Sequence, residues 1–359
     1  MNSYLVVSPL ELTFRVPDSA TVLKRWFFLE DMGDLPFERL KREILVRKEG
    51  VSSPKYGLDP QSRPMNVLIE WGIVNIDKPS GPSSHQVSAY VREVLGLKKT
   101  GHSGTLDPKV TGCLPVALER ATRVVQSLLP AGKEYICLMH VHQEISLDHL
   151  SKVLESFIGK IKQLPPKKSA VKRQNRFRKI YYLDVLEVQG QEVLFRVGCQ
   201  AGTYIRKLVH DVGVSLSCGA HMAELRRTKA GPFNEPSLCT LQNLKDAFYY
   251  YKEEGKEDLL RSIIHPLEFA ISHLPKVWVL DTTVDSLCHG ATLALPGISK
   301  VETDIQVGED VAVLTLKGEL IAVGKALLTS RAMLKEKGLA VKSSQVFMDP
   351  GTYPKIQRA

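Results

Sequence analysis

The sequence predicts an α+β protein of two domains, the second a small β-barrel. Three observations carry this. The chain has 359 residues, too many for one ordinary domain, and 43% of them are apolar, ample for two cores. Strand-like and helix-like segments follow one another without regular βα alternation, which argues against a parallel doubly wound sheet. Beyond Pro275 the pattern changes to short strand-like runs punctuated by glycine turns.

The elements read in order as follows. Residues 1–31 have mixed polarity and form a variable extension; Met32 is a second candidate start, which would make that extension an artefact of where the sequence is begun. Residues 32–66 form an arm: a short charged helix over Phe37–Val46, then an irregular stretch set by Pro54, Gly57, Pro60 and Pro64. Val67–Ile76 is an apolar, strand-like run. Lys78-Pro-Ser-Gly-Pro-Ser-Ser is turn chemistry ending in a helix cap at Ser83 or Ser84. The helix it opens places Val87, Val91, Val94 and Leu95 on one face. Glu134–Val141 is β-like, and Leu147–Phe157 is helical on the spacing of Leu147, Leu150, Leu154 and Phe157. Ile180–Val188 and Glu192–Cys199 pair around Gln189-Gly190. Ala201-Gly202 turns into a helix carrying Ile205, Leu208, Val209 and Val212. After the boundary near Pro275 come strands at Val277–Leu280, Asp310–Leu316 and Glu319–Ala326. The division is thus 67–275 for the first domain and 276–354 for the second, with no internal repeat.

A net charge of +9 and a pI near 9.1 favour a polyanionic partner, nucleic acid ahead of acidic lipid. The six cysteines (113, 137, 199, 218, 239 and 288) show no Cys-x-x-Cys spacing, so a zinc knuckle is not expected and the thiols read as reduced. His140 and His142 share a strand face and would supply half a metal site at most; ordinary surface histidines are the expectation, and no metal is assigned. No apolar run reaches the ~20 residues of a membrane span. The N-terminus lacks the basic-then-apolar order of a signal peptide. The expectation is a soluble intracellular protein.

Residues 101–112, Gly-His-Ser-Gly-Thr-Leu-Asp-Pro-Lys-Val-Thr-Gly, form the densest motif. Glycines and one proline bracket a single carboxylate, Asp107, between His102 and Lys109. Such a loop presents an acid at a set angle, as catalysis requires. A second feature is the run Lys167-Lys-Ser-Ala-Val-Lys-Arg-Gln-Asn-Arg-Phe-Arg-Lys179, which has no acid. Its Lys167, Lys168, Lys172, Arg173, Arg176 and Arg178 suit an RNA backbone, and Phe177, Tyr181 and Tyr182 offer stacking surfaces, although strand alternation puts at least one of the three in the core. Arg226-Arg227-Thr-Lys229 is a second basic cluster, read the same way.

The loop at 101–112 resembles the catalytic loop of TruB-type pseudouridine synthases, in the branch that includes dyskerin and its archaeal counterparts. The likeness runs from about Pro36 to Pro354, and His289-Gly-Ala-Thr-Leu-Ala-Leu-Pro-Gly-Ile resembles the signature of a PUA domain, a compact RNA-binding barrel. The resemblance implies a mixed, mainly antiparallel catalytic sheet followed by that barrel, and isomerisation of uridine to pseudouridine within RNA without a cofactor. It implies that Asp107 is the catalytic aspartate. Arg206 in Gly202-Thr-Tyr-Ile-Arg would be its ion-pair partner; it lies in the first turn of its helix, where the dipole disfavours a cation unless an anion compensates. Tyr135 in Gly132-Lys-Glu-Tyr would stack on the extruded base. Tyr204, Leu225 and His102 would complete the nucleotide pocket, with Lys78 and Gly81 supporting the loop. The mobile loop that closes over substrate in the family would begin at Pro165-Pro166.

The implied partners are tRNA, rRNA, a box H/ACA guide RNA and the small proteins of that particle. A guide-free tRNA enzyme acting on the T-loop is the runner-up. A non-catalytic RNA scaffold is the alternative of another class, against which the joint presence of Asp107, Tyr135 and Arg206 weighs. A methyltransferase is disfavoured because no Gly-x-Gly-x-x-Gly loop occurs. The absence of a lysine-rich tail and the wording around Arg42-Glu-Ile-Leu-Val favour an archaeal protein, hence cytoplasmic; a eukaryotic one would be nucleolar. Two departures from the family pattern, Lys167-Lys168 after Pro166 and His142-Gln-Glu without a closing glycine, bear on loop shape rather than chemistry.

Overall fold

The computed structural model describes residues 33–165 and 174–355. The extension at 1–31, Met32, and the expected RNA contacts Lys167, Lys168, Lys172 and Arg173 lie outside the described residues. In chain order the first part contains β1 (Ile44–Val46), α1 (Met65–Glu70), β2 (Gly72–Lys78), α2 (Ser84–Val94), β3 (Thr100–His102), β4 (Thr111–Leu118), α3 (Val125–Leu128) and β5 (Lys133–Val141). It continues with α4 (Leu147–Ser156), β6 (Gly159–Gln163), β7 (Arg176–Gln189), β8 (Glu192–Cys199), α5 (Ile205–Ser215) and β9 (Ala220–Ala230). Next come β10 (Phe233–Asn234), β11 (Leu238–Cys239), α6 (Leu241–Glu254), α7 (Asp258–Ile263), β12 (Ile264–Pro266) and α8 (Leu267–Ala270). The second part holds β13 (Lys276–Val279), α9 (Asp281–Cys288), β14 (Leu293–Ala294), β15 (Ile298–Glu302), β16 (Asp310–Thr315), β17 (Leu320–Ala326) and β18 (Leu339–Val346).

An eleven-stranded mixed sheet in the order β11-β2-β4-β9-β5-β8-β7-β6, with β3, β10 and β12 at its flanks, makes the first part. Its ladders are antiparallel except at β2–β11 and β4–β9. The β4–β9 contact is the seam between two halves, and each half has its own core. On one side α1, α2 and α6 cover Val74, Ile76, Leu114 and Val116; on the other α4 and α5 cover Cys137, Met139, Phe195 and Val197. A seven-stranded sheet, β1-β15-β13-β16-β17-β18-β14, makes the second part and packs with α9 around Val277, Val313, Ile321 and Val341.

Most local expectations match. Ser83 caps α2 through a capping box with Gln86, and Val87 and Val91 are buried. The β7–β8 hairpin forms, although β7 starts four residues earlier than the alternation suggests, at Arg176. In α5, Ile205, Leu208, Val209 and Val212 are all buried. In α4 only Leu150 and Leu154 are buried, while Leu147 stays 60% exposed.

Two expectations are corrected. The charged helix at Phe37–Val46 is absent: residues 36–39 form a turn, and Ile44–Val46 pair as β1 with β15. Ten residues, half of them charged, give a marginal isolated helix, and an open strand edge offers the β-branched Ile44 and Val46 a ladder instead. The apolar run at 67–76 is not one strand but α1 followed by β2. Pro64 opens the helix, and Gly72 lets the chain pass under it; a Cβ there would lie 2.3 Å from the Leu68 carbonyl oxygen. Short apolar runs do not distinguish helix from strand by period alone.

His140 and His142 do share a face, where His142 Nε2 is 3.1 Å from His221 Nδ1 and His140 Nδ1 is 2.7 Å from Glu192. Among the described residues no three such groups converge in metal-binding geometry. No helix of the described residues is long and apolar enough to cross a membrane.

The two parts meet on a common apolar layer that includes Trp71, Ile73, Phe233, Leu314, Leu320 and Phe347. Beside it Arg63 of the arm donates to both oxygens of Glu268, at 2.8 and 2.7 Å, and Glu268 also accepts from the backbone N–H of Leu320 at 2.9 Å. The arm, the first part and the second part thus converge on one largely buried carboxylate. Glu268→Ala strands a buried guanidinium and should cost about 3–5 kcal/mol of stability. Urea unfolding is the measurement; a loss within about 0.5 kcal/mol of zero would mean that the clamp is not a stabilising joint.

Candidate active site

The loop between β3 and β4 carries Asp107, and its backbone is tied down along its length. Ser84 Oγ accepts from Leu106 N–H at 2.8 Å and lies 3.2 Å from Leu106 O. Gly81 N–H donates to Pro108 O at 3.0 Å. Lys78, fully buried, donates from Nζ to the carbonyls of Pro79, Pro108 and Val110 at 2.8–2.9 Å. Burial, above all, lowers the pKa of its ammonium, while the charge of Asp107 raises it. Lys78 therefore supports the loop, as the resemblance implies, and does not reach the reacting face.

Arg227 ties the loop to the other half of the sheet. Its side chain is buried, and it donates from Nε to Cys113 O at 2.7 Å and from Nη2 to Gly104 O at 3.1 Å. Gly112 lies against the Arg227 backbone so closely that a Cβ would sit 2.2 Å from its carbonyl oxygen, and its φ of +98° also calls for glycine. Tyr135 on β5 is the ladder partner of Arg227, whose guanidinium also borders the Tyr135 hydroxyl. Burial raises that hydroxyl's pKa and the arginine opposes the shift. Lys133, two residues earlier, buries its ammonium against the carbonyls of Leu128, Leu129 and Ala131 at 3.0, 3.2 and 2.7 Å. Burial, with the Arg227 charge behind it, brings its pKa down to about 7.

Helix α5 delivers the remaining groups. Tyr204 is its N-cap, and Gln163 fixes that residue's backbone from both sides, accepting from Tyr204 N–H at 3.0 Å and donating to Tyr204 O at 3.1 Å. Two residues on, in the first turn, Arg206 Nη2 forms an ion pair with Asp107 Oδ2. Both side chains remain more than half exposed, so the pair is open to a ligand. Leu225 on β9 lies partly buried opposite Cys137, two residues from Arg227 and on the same strand face.

His102 ends β3. Its ring packs edge-on against His85 at 4.7 Å between centroids. Burial first, then the charges of His85 and Arg227, hold its pKa at about 4.

The structure thus brings together Asp107, Arg206 and Tyr135, and sets Tyr204, Leu225 and His102 on the elements around them. Arg178 packs over Gly202, two residues before Tyr204, and Arg176 opens the same strand. The second basic cluster is corrected: it is not a phosphate-binding patch. Arg226 is bound by Asp77 at 2.9 and 3.2 Å and by Glu235 at 2.6 Å, Lys229 by Glu38 at 3.0 Å, and Arg227 faces inward. Those cations are spent within the protein. Gln163 has no local signal in the sequence, and Lys133 stands out no more there. Arg227 reads as surface charge in the sequence, although period-two alternation places Lys133 with Tyr135 and Arg227 with Leu225 on inward-facing positions.

Models of known families match along most of the described chain. The TruB family pseudouridylate synthase N-terminal domain covers residues 92–205 and the tRNA pseudouridylate synthase B C-terminal domain residues 206–272. A PUA domain model covers 275–347, and a DKCLD domain model covers 34–88. A protein of Methanopyrus kandleri named probable tRNA pseudouridine synthase B is 54% identical over 322 residues, covering 89% of this chain and 95% of that one. The chain belongs to the TruB family of pseudouridine synthases. A Pyrococcus furiosus protein of the same name is 53% identical over 88% of this chain and 94% of its own. Among solved structures, a Cbf5-Nop10-Gar1 complex matches with a TM-score of 0.86 at 53% identity, covering 90% of this chain and 99% of that one. An H/ACA ribonucleoprotein bound to a substrate RNA containing 2'-deoxyuridine matches with a TM-score of 0.84 at 50% identity, with coverage of 90% and 99%. As a TruB family member this chain is an RNA pseudouridine synthase with an α+β catalytic part followed by a PUA domain.

The buried imidazoles give a pH test. His102 and His273 are both held at about 4, mainly by burial, against 6.5 for a free imidazole. As pH falls below 6.5 the unfolded chain binds these protons while the folded chain does not. Stability should therefore decline from 6.5 to about 4 and level off below. In His102→Gln the decline should be shallower, as read from urea midpoints across that window; an unchanged slope would show that the His102 ring titrates freely.

Proposed function

We propose that this chain is the catalytic subunit of a box H/ACA guide-RNA particle, isomerising uridine in rRNA and also the T-loop uridine of tRNA. One observation carries the chemistry: the open ion pair of Asp107 and Arg206, set beside Tyr135 on a loop fixed at both ends. The guide-dependent part draws on the likeness to Cbf5 chains in H/ACA assemblies, which extends through the arm and the PUA domain. The archaeal source of the relatives supports a cytoplasmic location. The catalytic unit is taken as 67–275 and the RNA-holding unit as 276–354, with β1 of the 32–66 arm completing the second sheet.

The reaction breaks a C–N glycosidic bond, turns the uracil and rejoins it through carbon, with no net redox change. The target nucleotide must leave its stack to reach Asp107. Tyr135 supplies the stacking face, and Tyr204 and Leu225 the walls around it. Arg206 holds the Asp107 carboxylate in an ion pair and orients it. The carboxylate then acts on the extruded nucleoside, as nucleophile toward the base or as base toward the ribose. Arg176 and Arg178 steer the RNA backbone toward the site.

A second reading, guide-free action on tRNA, is favoured by the names of the relatives. Incubation of the protein with transcribed tRNA and rRNA fragments, with and without an H/ACA guide and its partner proteins, separates the two when pseudouridine is mapped chemically. Guide-dependent product on rRNA supports the first reading; product on tRNA alone, without a guide, supports the second.

Asp107→Asn should lower turnover by at least about 10³-fold while leaving the RNA dissociation constant within about twofold. Arg206→Lys keeps the charge but loses the planar fork, and should lower kcat by about 10²-fold with KM little changed. Single-turnover assays on a radiolabelled RNA give both numbers, and full activity in either variant would reassign the chemistry. RNA affinity should also fall steeply with salt. Arg178→Gln should flatten the log–log slope by about 0.7, and an unchanged slope would remove Arg178 from the backbone track.

A further inference from the structure

The β5–β9 ladder contains an extra residue beside the site. Lys133 and Glu134 pair with Ala230 and Lys229, but Tyr135 pairs with Arg227, so Thr228 is passed over. Such a bulge changes which face every later side chain occupies. Continued without it, the ladder would set Thr228 opposite Tyr135 and Arg227 opposite Ile136. Arg227 and Leu225 would then leave the face that carries Tyr135. The bonds from Arg227 to the carbonyls of Gly104 and Cys113 would go with them. The register at this residue therefore decides whether the site assembles.

Glu134 holds that register from the opposite face of the sheet. Its Oε1 accepts from the Thr228 hydroxyl at 2.7 Å, and its Oε2 from the Tyr182 hydroxyl at 2.5 Å. All three residues are buried. Tyr182 reaches Glu134 from β7 because Gly198 lies between them on β8; a Cβ there would sit 2.2 Å from the Tyr182 ring. Arg196 Nη1 and Lys229 Nζ lie 3.5 and 4.0 Å from Oε2. The start of the arm closes over the group: Gly33 lies against the Tyr182 ring, and Glu38 holds Lys229. In so closed a place a lost hydrogen bond leaves a buried acceptor unmet, which is costly. A straight ladder would carry the Thr228 hydroxyl to the far face and leave Glu134 Oε1 in that state.

We propose that Glu134 and Thr228 are positioning residues of the isomerase: their hydrogen bond selects the bulged register and so keeps Tyr135, Arg227 and Leu225 on one face. The proposal rests on the isomerase reading and deepens it. Both residues act from behind the strand that carries Tyr135. Their effect reaches the substrate through the Tyr135 ring and through the tie that Arg227 makes to the Asp107 loop.

The test uses the full chain and a T-stem-loop hairpin RNA, in single-turnover assays well below the melting temperature. Thr228→Val keeps the shape of the side chain and removes its hydroxyl. It should lower the rate at saturating RNA by at least about tenfold and leave the RNA dissociation constant within about threefold. Thr228→Ser returns the hydroxyl and should bring the rate back to within about threefold of wild type. Glu268→Ala, weakened at the distant joint, shows what lost stability alone does and should keep the wild-type rate. A wild-type rate in Thr228→Val overturns the proposal. So does a loss that Thr228→Ser does not rescue, a loss confined to the dissociation constant, or an equal loss in Glu268→Ala. Should Thr228→Val not fold, Thr228→Ala removes the same hydroxyl with a smaller side chain and is held to the same outcomes. The parent reading fails separately: a wild-type chain that makes no pseudouridine on any RNA fails as an isomerase, while hydrogen exchange still judges the register. The β9 amides should exchange faster in Thr228→Val and recover in Thr228→Ser; unchanged protection in Thr228→Val overturns the role given to the bond.

Discussion

The parallel contact of β4 with β9 is only two residue pairs long, Thr111 with Arg226 and Gly112 with Arg227, yet it sets the geometry of the whole site. One half of the sheet holds the loop with Asp107, and the other holds Tyr135 and, through α5, Arg206. Each half folds on its own core, and the Arg226–Asp77 ion pair and the bond from the Cys113 thiol to the Thr228 carbonyl add ties across the same seam. Gly112 allows the two backbones to touch, and Arg227 then reaches across to carbonyls on both sides of the Asp107 loop, at Gly104 and Cys113. An error of an ångström at this seam would separate the carboxylate from its guanidinium, and positioned catalysis does not tolerate errors of that size.

The seam also explains why so much positive charge is buried beneath a site that binds an anion. Lys78, Lys133 and Arg227 each satisfy their donors with backbone carbonyls. Carbonyl oxygens meet hydrogen-bond demand without neutralising charge, so the field of Arg227, and of the two lysines while they are protonated, remains available. Carboxylate partners would have cancelled it. Asp107 is the carboxylate that feels that field from outside: its charge opposes the lowering of the Lys78 pKa. The arrangement does two things at once. It holds a loop rigid by its carbonyls, and it favours a negative group at the loop's tip, whether that is the aspartate or a phosphate drawn toward it.

Much of the active site was legible in the sequence because it is written in local, rare chemistry. A glycine-bracketed Asp-Pro and a helix-initial arginine both announce special backbone or charge requirements, and Asp107 and Arg206 do meet. What escaped depends on tertiary context. Ile44–Val46 reads as helix material because its neighbours are charged; only the open edge of β15 makes it a strand. The run at 67–76 hides a helix end because apolar residues suit both states. Arg226, Arg227 and Lys229 look like a phosphate patch in a list of residues. Their fate is decided by Asp77 and Glu38, which are distant in sequence, by Glu235 nine residues on, and by a strand alternation that turns Arg227 inward. Charge runs read without strand phase overstate binding surfaces. The same alternation, applied first, separates an inward arginine from an outward one.

The joint between the two parts has a consequence for how RNA is handled. Trp71, Phe233, Leu314 and Phe347 share one apolar layer, so the PUA part is packed onto the catalytic part rather than tethered to it. Arg120 stacks over Trp71 and is paired with Asp349, and β1 carries the arm across to complete the second sheet. A flexible linker would let each part search for its own RNA segment and gain affinity through effective concentration. A rigid joint works differently. On the proposed reading it would fix the span between an RNA held on the second part and the uridine offered to Asp107, and so would disfavour RNAs whose geometry does not match. Selection by span needs no reading of base identity at the catalytic loop, which is consistent with an active site that offers a carboxylate, a guanidinium and aromatic faces to any uridine brought to the correct distance.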